Sequence, residues 1–133
     1  MRWRSKKAAQ RAKESKPIRD SLIAAAKECM ICGASPRTPK HPMTQLNQLC
    51  CHEISNGPLR QKSLDKPYCI LVLCFYCNQN EVEDKAKWPQ SRQLSVLLAK
   101  SPENYDLVAF NYLVNPNAPR RIEQHEVDEW LVK

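Results

Sequence analysis

Two closely spaced cysteine pairs constrain this 133-residue chain more than any other feature. Cys29 and Cys32 form a C-x2-C pair that Gly33 follows, and Cys74 and Cys77 form a second pair after 41 intervening residues. The two-residue spacing lets one turn present both sulfurs of a pair, and a structural zinc site takes four such ligands in a tetrahedron. A glycine suits the position after such a turn because a positive φ is favoured there. We therefore predict a structural Zn²⁺ ion held by all four cysteines.

The number of cysteines indicates free thiols and metal binding rather than disulfides. The chain has seven cysteines, an odd number, and no apolar segment after Met1 that resembles a secretory signal. We expect Cys50, Cys51 and Cys69 to be small buried hydrophobic residues. His41 is either a spare metal ligand or an ordinary loop histidine beside Pro42.

The positive charge is concentrated at the N-terminus. Nine of the 21 basic residues and two of the 14 acids lie in residues 1–27, which accounts for the whole net charge of +7. We predict a flexible or nascent-helical basic arm over 1–16 that binds a polyanion, DNA rather than a membrane. The alternative is a solvated tail that only aids solubility. The longest apolar run, residues 68–77, is too short to span a bilayer, and we expect a cytoplasmic protein.

The hydrophobic pattern favours a small α+β protein. We predict strands over 49–54 and 68–74, and helices over 17–28, from 77 to about 87, over 91–100, from 102 onward and over 122–132. Ser101 is the predicted cap of the helix that begins at Pro102, with Tyr105, Val108 and Tyr112 buried. The predicted organisation is a basic arm at 1–16, a zinc-stapled core at 17–88 and a helical extension at 89–133.

A histidine-glutamate motif lies between the two cysteine pairs. It reads His52-Glu53-Ile54-x-x-Gly57-x-x-Arg60-x-x-Ser63, and Leu73-Cys74-x-x-Cys77-Asn78 follows it. In this order and spacing, residues 29–82 resemble the HNH, or ββα-metal, endonuclease superfamily, in the phage-type branch that reads H-E-I-x-x-G-x-x-R-x-x-S. The resemblance implies a ββα-metal core, hydrolysis of DNA phosphodiester bonds, and a phage or mobile-element protein that acts in the host cell.

The resemblance also implies roles for individual residues. The first motif of the family supplies a metal ligand followed by the general base, so that His52 is the ligand and Glu53 the base. With the alignment shifted by one residue, His52 is the base and Cys51 occupies the ligand position. Arg60 matches an arginine that faces phosphate, which makes DNA the partner of both Arg60 and the basic arm.

Two positions depart from the family pattern. Asn78 stands where a histidine usually follows the second cysteine pair, and Val82 stands where a further histidine is common. Asn78 can bind Mg²⁺ or Mn²⁺ through its amide oxygen, and Glu81 can assist as a ligand next to Val82. The expected catalytic metal site is therefore His52, Asn78 and Glu81, with Mg²⁺ or Mn²⁺ as the ion.

The residues alone leave several interpretations open. Neighbouring strand residues point to opposite sides, so only one of His52 and Glu53 can face a given site unless the strand end twists. Both can be ordinary strand-surface residues, and Asn78 can be a helix N-cap. Besides a metal-dependent endonuclease, the chain can be a catalytically degenerate zinc-stapled nucleic-acid-binding protein. A third hypothesis is a protein-interaction adaptor that uses the acidic last helix.

Overall fold

The computed structural model describes residues 6–54, 62–117, 119 and 121–132. These residues form a small α+β protein with one two-stranded sheet and several helices, as the hydrophobic pattern predicts. The helices are α1 (Lys6–Ala26), α2 (Gln90–Lys100), α3 (Leu107–Val114) and α4 (Gln124–Leu131), and the strands are β1 (Leu49–Glu53) and β2 (Ile70–Cys74). Short 3₁₀ turns cover Thr44–Asn47 and Pro67–Cys69, and a π-helical turn covers Cys77–Glu81.

The two strands pair antiparallel, with Leu49 opposite Cys74 and His52 opposite Leu71. Every residue of β2 is buried, because this Ile-Leu-Val-Leu-Cys run has apolar neighbours on both faces. Strand β1 alternates instead, so that Cys51 and Glu53 are buried while His52 faces the other side and is partly exposed. Both predicted strands are confirmed, and this alternation places His52 and Glu53 on opposite faces of the sheet.

Helix α1 is longer than predicted. It begins at Lys6 rather than near Pro17, and Pro17 lies exposed inside it. A proline at this position removes one backbone hydrogen bond, but water can solvate the freed carbonyl on an exposed helix face. The N-terminal half is held by tertiary contacts, since Ser15 is only 2% exposed and lines a cleft with Leu64 and its neighbours. Most of the predicted arm, residues 6–16, is therefore helical.

The C-terminal helices form the other side of the core. Helix α2 contacts β2 and packs closely with α4. Helix α3 begins at Leu107, where the Asp106 carboxylate accepts a 3.0 Å hydrogen bond from the Ala109 N–H, so the predicted cap at Ser101 is wrong. The buried residues of α3 are Phe110 and Val114, and Tyr105, predicted to be buried, is partly exposed before the helix begins. Val108 and Tyr112, predicted to be buried, are 82% and 83% exposed.

The helix predicted from Cys77 to about 87 is also wrong beyond its first turn. The π-helical turn Cys77–Glu81 closes with a 3.1 Å hydrogen bond from the Val82 N–H to the Cys77 carbonyl, and turns follow it. The Asp84 carboxylate accepts hydrogen bonds from the N–H groups of Ala86 and Lys87. Such local side-chain bonds compete with helical ones. No helix in the described part of the chain is long and apolar enough to cross a membrane.

Candidate metal centre and histidine site

The four predicted zinc ligands converge at one point. The sulfur atoms of Cys29, Cys32, Cys74 and Cys77 all lie within 4.8 Å of one another. The Sγ atoms of Cys32 and Cys74 are 3.6 Å apart. A tetrahedral zinc ion with Zn–S bonds of about 2.3 Å requires sulfurs about 3.8 Å apart. The cysteine cluster is therefore able to hold a metal ion, and its geometry and chemistry are consistent with structural zinc.

The backbone around each cysteine pair explains this convergence. Gly33 has a φ of 81°, as predicted, and its N–H donates to the Cys29 carbonyl at 2.9 Å. The Met30 N–H donates to the Val72 carbonyl, which joins the first pair to β2. The second pair lies where β2 passes into the π-helical turn, and the Cys77 N–H is 3.5 Å from the Cys74 sulfur. Strand β2 thus ends at Cys74 of the second pair, and it holds the first pair through the hydrogen bond from Met30.

Electrostatics within the cluster favour at least one thiolate. A hydrogen bond from the Cys77 thiol lowers the pKa of Cys29 to about 4, and the same bond raises the pKa of Cys77. Burial raises the pKa of Cys50 and of Cys69 to about 12, so these two thiols outside the cluster stay protonated at neutral pH. Metal ligation requires thiolates, and Cys29 has this form at neutral pH, whereas burial raises the pKa of Cys74 within the cluster to about 11.

His41 lies beside the cluster. Its Nε2 atom is 3.7 Å from the Cys32 sulfur and 3.5 Å from the Cys74 sulfur. The ring stacks on Tyr76 with 4.4 Å between ring centroids. Since four sulfurs complete a tetrahedron, the geometry suits an imidazole N–H that donates to thiolates better than a fifth metal ligand.

A second polar cluster forms around His52. Its Nδ1 atom lies 3.0 Å from Oδ1 of Asn78, and its Nε2 atom lies 2.9 Å from Oε1 of Gln93. Strand β1 supplies the histidine, the π-helical turn supplies Asn78, and α2 supplies Gln93. The structure thus brings together His52 and Asn78, two of the three residues expected at the catalytic metal site.

The surroundings of His52 keep its ring neutral. Burial lowers the pKa of His52 below its ordinary value, and the nearby Lys85 ammonium lowers it further, against the hydrogen bonds to Gln93 and Asn78, which raise it. A partly buried imidazole with a lowered pKa is neutral at neutral pH, so one ring nitrogen carries a lone pair instead of a proton. The site therefore has a group that can accept a proton.

Glu53 lies on the other side of the sheet. Its Oε1 atom forms an ion pair of 3.0 Å with Nη1 of Arg19 on α1. Cys51 faces the same helix, with its Sγ atom 3.5 Å from the Arg19 carbonyl. The structure does not bring Glu53 or Cys51 to the Asn78 side of β1, where each was expected as a partner of His52.

Glu81 and Arg60 are the two remaining residues of the predicted catalytic site. The Glu81 carboxylate accepts a 3.1 Å hydrogen bond from the Trp88 indole and lies 3.3 Å from Lys87 Nζ. Arg60 lies outside the described residues. Within the described residues, the four cysteines are the only group of three or more His, Cys, Asp or Glu ligand atoms close enough to share an ion.

Sequence reasoning missed two residues near His52. Lys85 is an exposed lysine in a charged turn, with no pattern that marks it. Gln93 carries a signal, because it lies four residues before Leu97 and next to Leu94, which makes it a polar side chain on the apolar face of α2. It is fully buried in the structure. No protein-family model, curated protein or solved structure matches the chain.

Proposed function

We propose that this protein is a metal-dependent DNA endonuclease of HNH type with a zinc-stapled ββα core. The observation that carries the proposal is the 3.0 Å approach of His52 Nδ1 to Asn78 Oδ1. Asn78 directly follows Cys77, so the cysteine cluster fixes the turn that presents it to β1. A histidine on a strand and a polar side chain on the next helical turn are the arrangement that the HNH resemblance implies.

His52 is the general base in this proposal. Its neutral ring accepts a proton from the water that attacks the phosphodiester, and Asn78 orients the ring and the incoming phosphate. The Lys85 ammonium lies close enough to lower the pKa of His52, and it attracts the phosphate to the same place. Glu53 has a structural role instead, because its carboxylate is paired with Arg19.

The catalytic cation in this proposal is Mg²⁺ or Mn²⁺. The amide oxygen of Asn78 suits such an ion, which commonly keeps several waters and takes its other ligands from substrate phosphates. His52 is not a ligand in this proposal, because a neutral imidazole has one lone pair and the general base needs it. When bound, the ion polarises the phosphodiester and stabilises the leaving oxygen.

The exposed face of α1 is the proposed surface for the DNA backbone. Lys6, Lys7 and Lys13 are exposed along this helix, and Lys16 is exposed but pairs with Asp20. Arg11, Lys62 and Lys66 line a cleft of about 350 Å³, so that basic side chains from two segments surround one opening together with the carboxylates of Glu14 and Asp65. Arg19 is not part of this surface, because it is paired with Glu53. A helix of fixed geometry presents these charges in one register to successive phosphates.

A catalytically degenerate nucleic-acid-binding protein is the second candidate. It is favoured by the direction of Glu53, which faces Arg19 and not His52, and by the engagement of Glu81 with Trp88 and Lys87. In this case the zinc-stapled scaffold and the basic helix bind DNA, and the His52 cluster is a buried polar network of the scaffold.

Plasmid nicking separates these candidates. The zinc-loaded protein is incubated with supercoiled plasmid in Mg²⁺, in Mn²⁺ and in EDTA, and DNA binding is measured in parallel by fluorescence anisotropy. The endonuclease proposal predicts nicked circles with Mg²⁺ or Mn²⁺ and none with EDTA. Salt-sensitive binding without nicking in any metal supports the degenerate binder. If the protein neither binds nor nicks DNA, both candidates are contradicted and the adaptor hypothesis is left.

A further inference from the structure

Gln93 is a buried polar residue whose presence packing alone does not explain. It is a fully buried amide on α2, where an apolar side chain would fill the same space without hydrogen-bond demands. Its side chain contacts two groups from different segments, the Trp88 carbonyl and the His52 ring. A buried amide with both ends engaged has one allowed orientation, and that orientation constrains its partner.

The orientation of Gln93 follows from its neighbours. Its Nε2 atom donates to the Trp88 carbonyl at 2.9 Å, which leaves Oε1 facing His52 Nε2 at 2.9 Å. A rotated amide would place two oxygens against each other at Trp88, so this alternative is disfavoured. An amide oxygen only accepts hydrogen bonds. His52 Nε2 must therefore carry a proton in order to donate to it.

We propose that Gln93 is a positioning residue that locks His52 in the Nε2–H tautomer. A neutral imidazole has one N–H group, so the lone pair is then on Nδ1, the nitrogen next to Asn78. The Asn78 amide can turn its nitrogen toward this lone pair, or its oxygen toward a cation. That Nδ1 is the atom that accepts the proton in catalysis rests on the proposed endonuclease function, whereas the tautomer itself does not.

Nitrogen NMR of the histidine ring tests the tautomer directly. In the ¹⁵N-labelled, zinc-loaded full-length protein at pH 8, we expect His52 to show a protonated-type shift at Nε2 and an unprotonated-type shift at Nδ1. Gln93→Leu removes the acceptor, and we expect a mixture of tautomers. Gln90→Leu, on the same helix, is the matched control and is expected to leave the His52 shifts unchanged.

The outcomes distinguish this inference from the proposed function. An Nδ1–H tautomer in the wild-type protein, or unchanged His52 shifts in a Gln93→Leu variant that retains zinc, overturns the role of Gln93. If Gln93→Leu loses zinc, the wild-type spectrum decides the question alone. If the wild-type protein nicks DNA, Gln93→Leu is expected to nick about 10- to 100-fold more slowly. Correct tautomers without nicking by any variant support the inference and contradict only the endonuclease.

Discussion

Arg19 on α1 and Glu53 on β1 form an ion pair of 3.0 Å that joins the basic helix to the sheet. The Glu53 side chain is 5% exposed, and Arg19 also donates to the carbonyls of Cys51 and Leu64. This ion pair gives α1 a fixed position on the core. It also makes Glu53 a structural residue, although the sequence motif suggests a catalytic one.

Loss of the Arg19 guanidinium is expected to destabilise the fold. Arg19→Met removes the ion pair between Arg19 and the buried Glu53 carboxylate, which costs about 3 kcal/mol in the free energy of unfolding. Lys16→Met on the same helix is the matched control, because Lys16 pairs with Asp20 at an exposed position and should cost less than about 0.5 kcal/mol. Urea denaturation measures both. Equal losses in the two variants would contradict a structural role for the Arg19–Glu53 pair.

The cysteine cluster is expected to bind one Zn²⁺ ion per chain. Cys32→Ser replaces a ligand of the cluster and should abolish stoichiometric zinc and most of the folded structure, because bound metal contributes folding free energy in small domains. Cys50→Ser is the control, since Cys50 lies outside the cluster. Zinc content by elemental analysis and thermal unfolding are the measurements. Full zinc occupancy in Cys32→Ser would show that this sulfur is not a ligand.

The exposed lysines of α1 are expected to set the salt dependence of DNA binding. Replacement of Lys6, Lys7 and Lys13 by glutamine should flatten the plot of log K against log salt concentration by about 0.9 for each phosphate that the variant no longer neutralises. A control with the same change in net charge replaces Arg37, Lys40 and Lys100, which are exposed elsewhere. If both triple variants change the slope equally, the α1 lysines contribute only through the net charge of the protein and do not contact DNA phosphates specifically.

The fold was largely readable from sequence where local patterns are strong. The apolar run of β2, the glycine turn and the two-residue spacing within each cysteine pair are local patterns, and each is visible in a short stretch of residues. The length of α1 was not readable, because contacts of Ser15 and Arg19 with distant segments extend the helix through Pro17. At the site, the His52–Asn78 pair followed from the motif, whereas Gln93 reaches His52 from a helix 41 residues further on.

The partly buried His52 ring should make stability depend on pH. Burial lowers its pKa below the ordinary value of 6.5, so the native state binds fewer protons than the unfolded state. The stabilisation from this group is present above about pH 6.5 and is lost as pH falls through the lowered pKa. The His52→Gln variant lacks this titrating group but keeps all the cysteines, so acid-induced changes at the cysteines are common to both proteins. Denaturation of both proteins between pH 5 and 7.5 should show the wild type losing more stability on acidification, and parallel curves would contradict this.

The most direct test of the endonuclease proposal is the nicking rate of His52→Ala in Mn²⁺, compared with His125→Ala. His125 is an exposed histidine on α4, near Glu123, and serves as the matched control. If His52 is the general base, its removal should slow nicking by about 10²- to 10⁴-fold while zinc content stays at one ion per chain, and His125→Ala should nick at the wild-type rate. Nicking by a zinc-loaded His52→Ala protein at the wild-type rate would contradict the proposed function of this site.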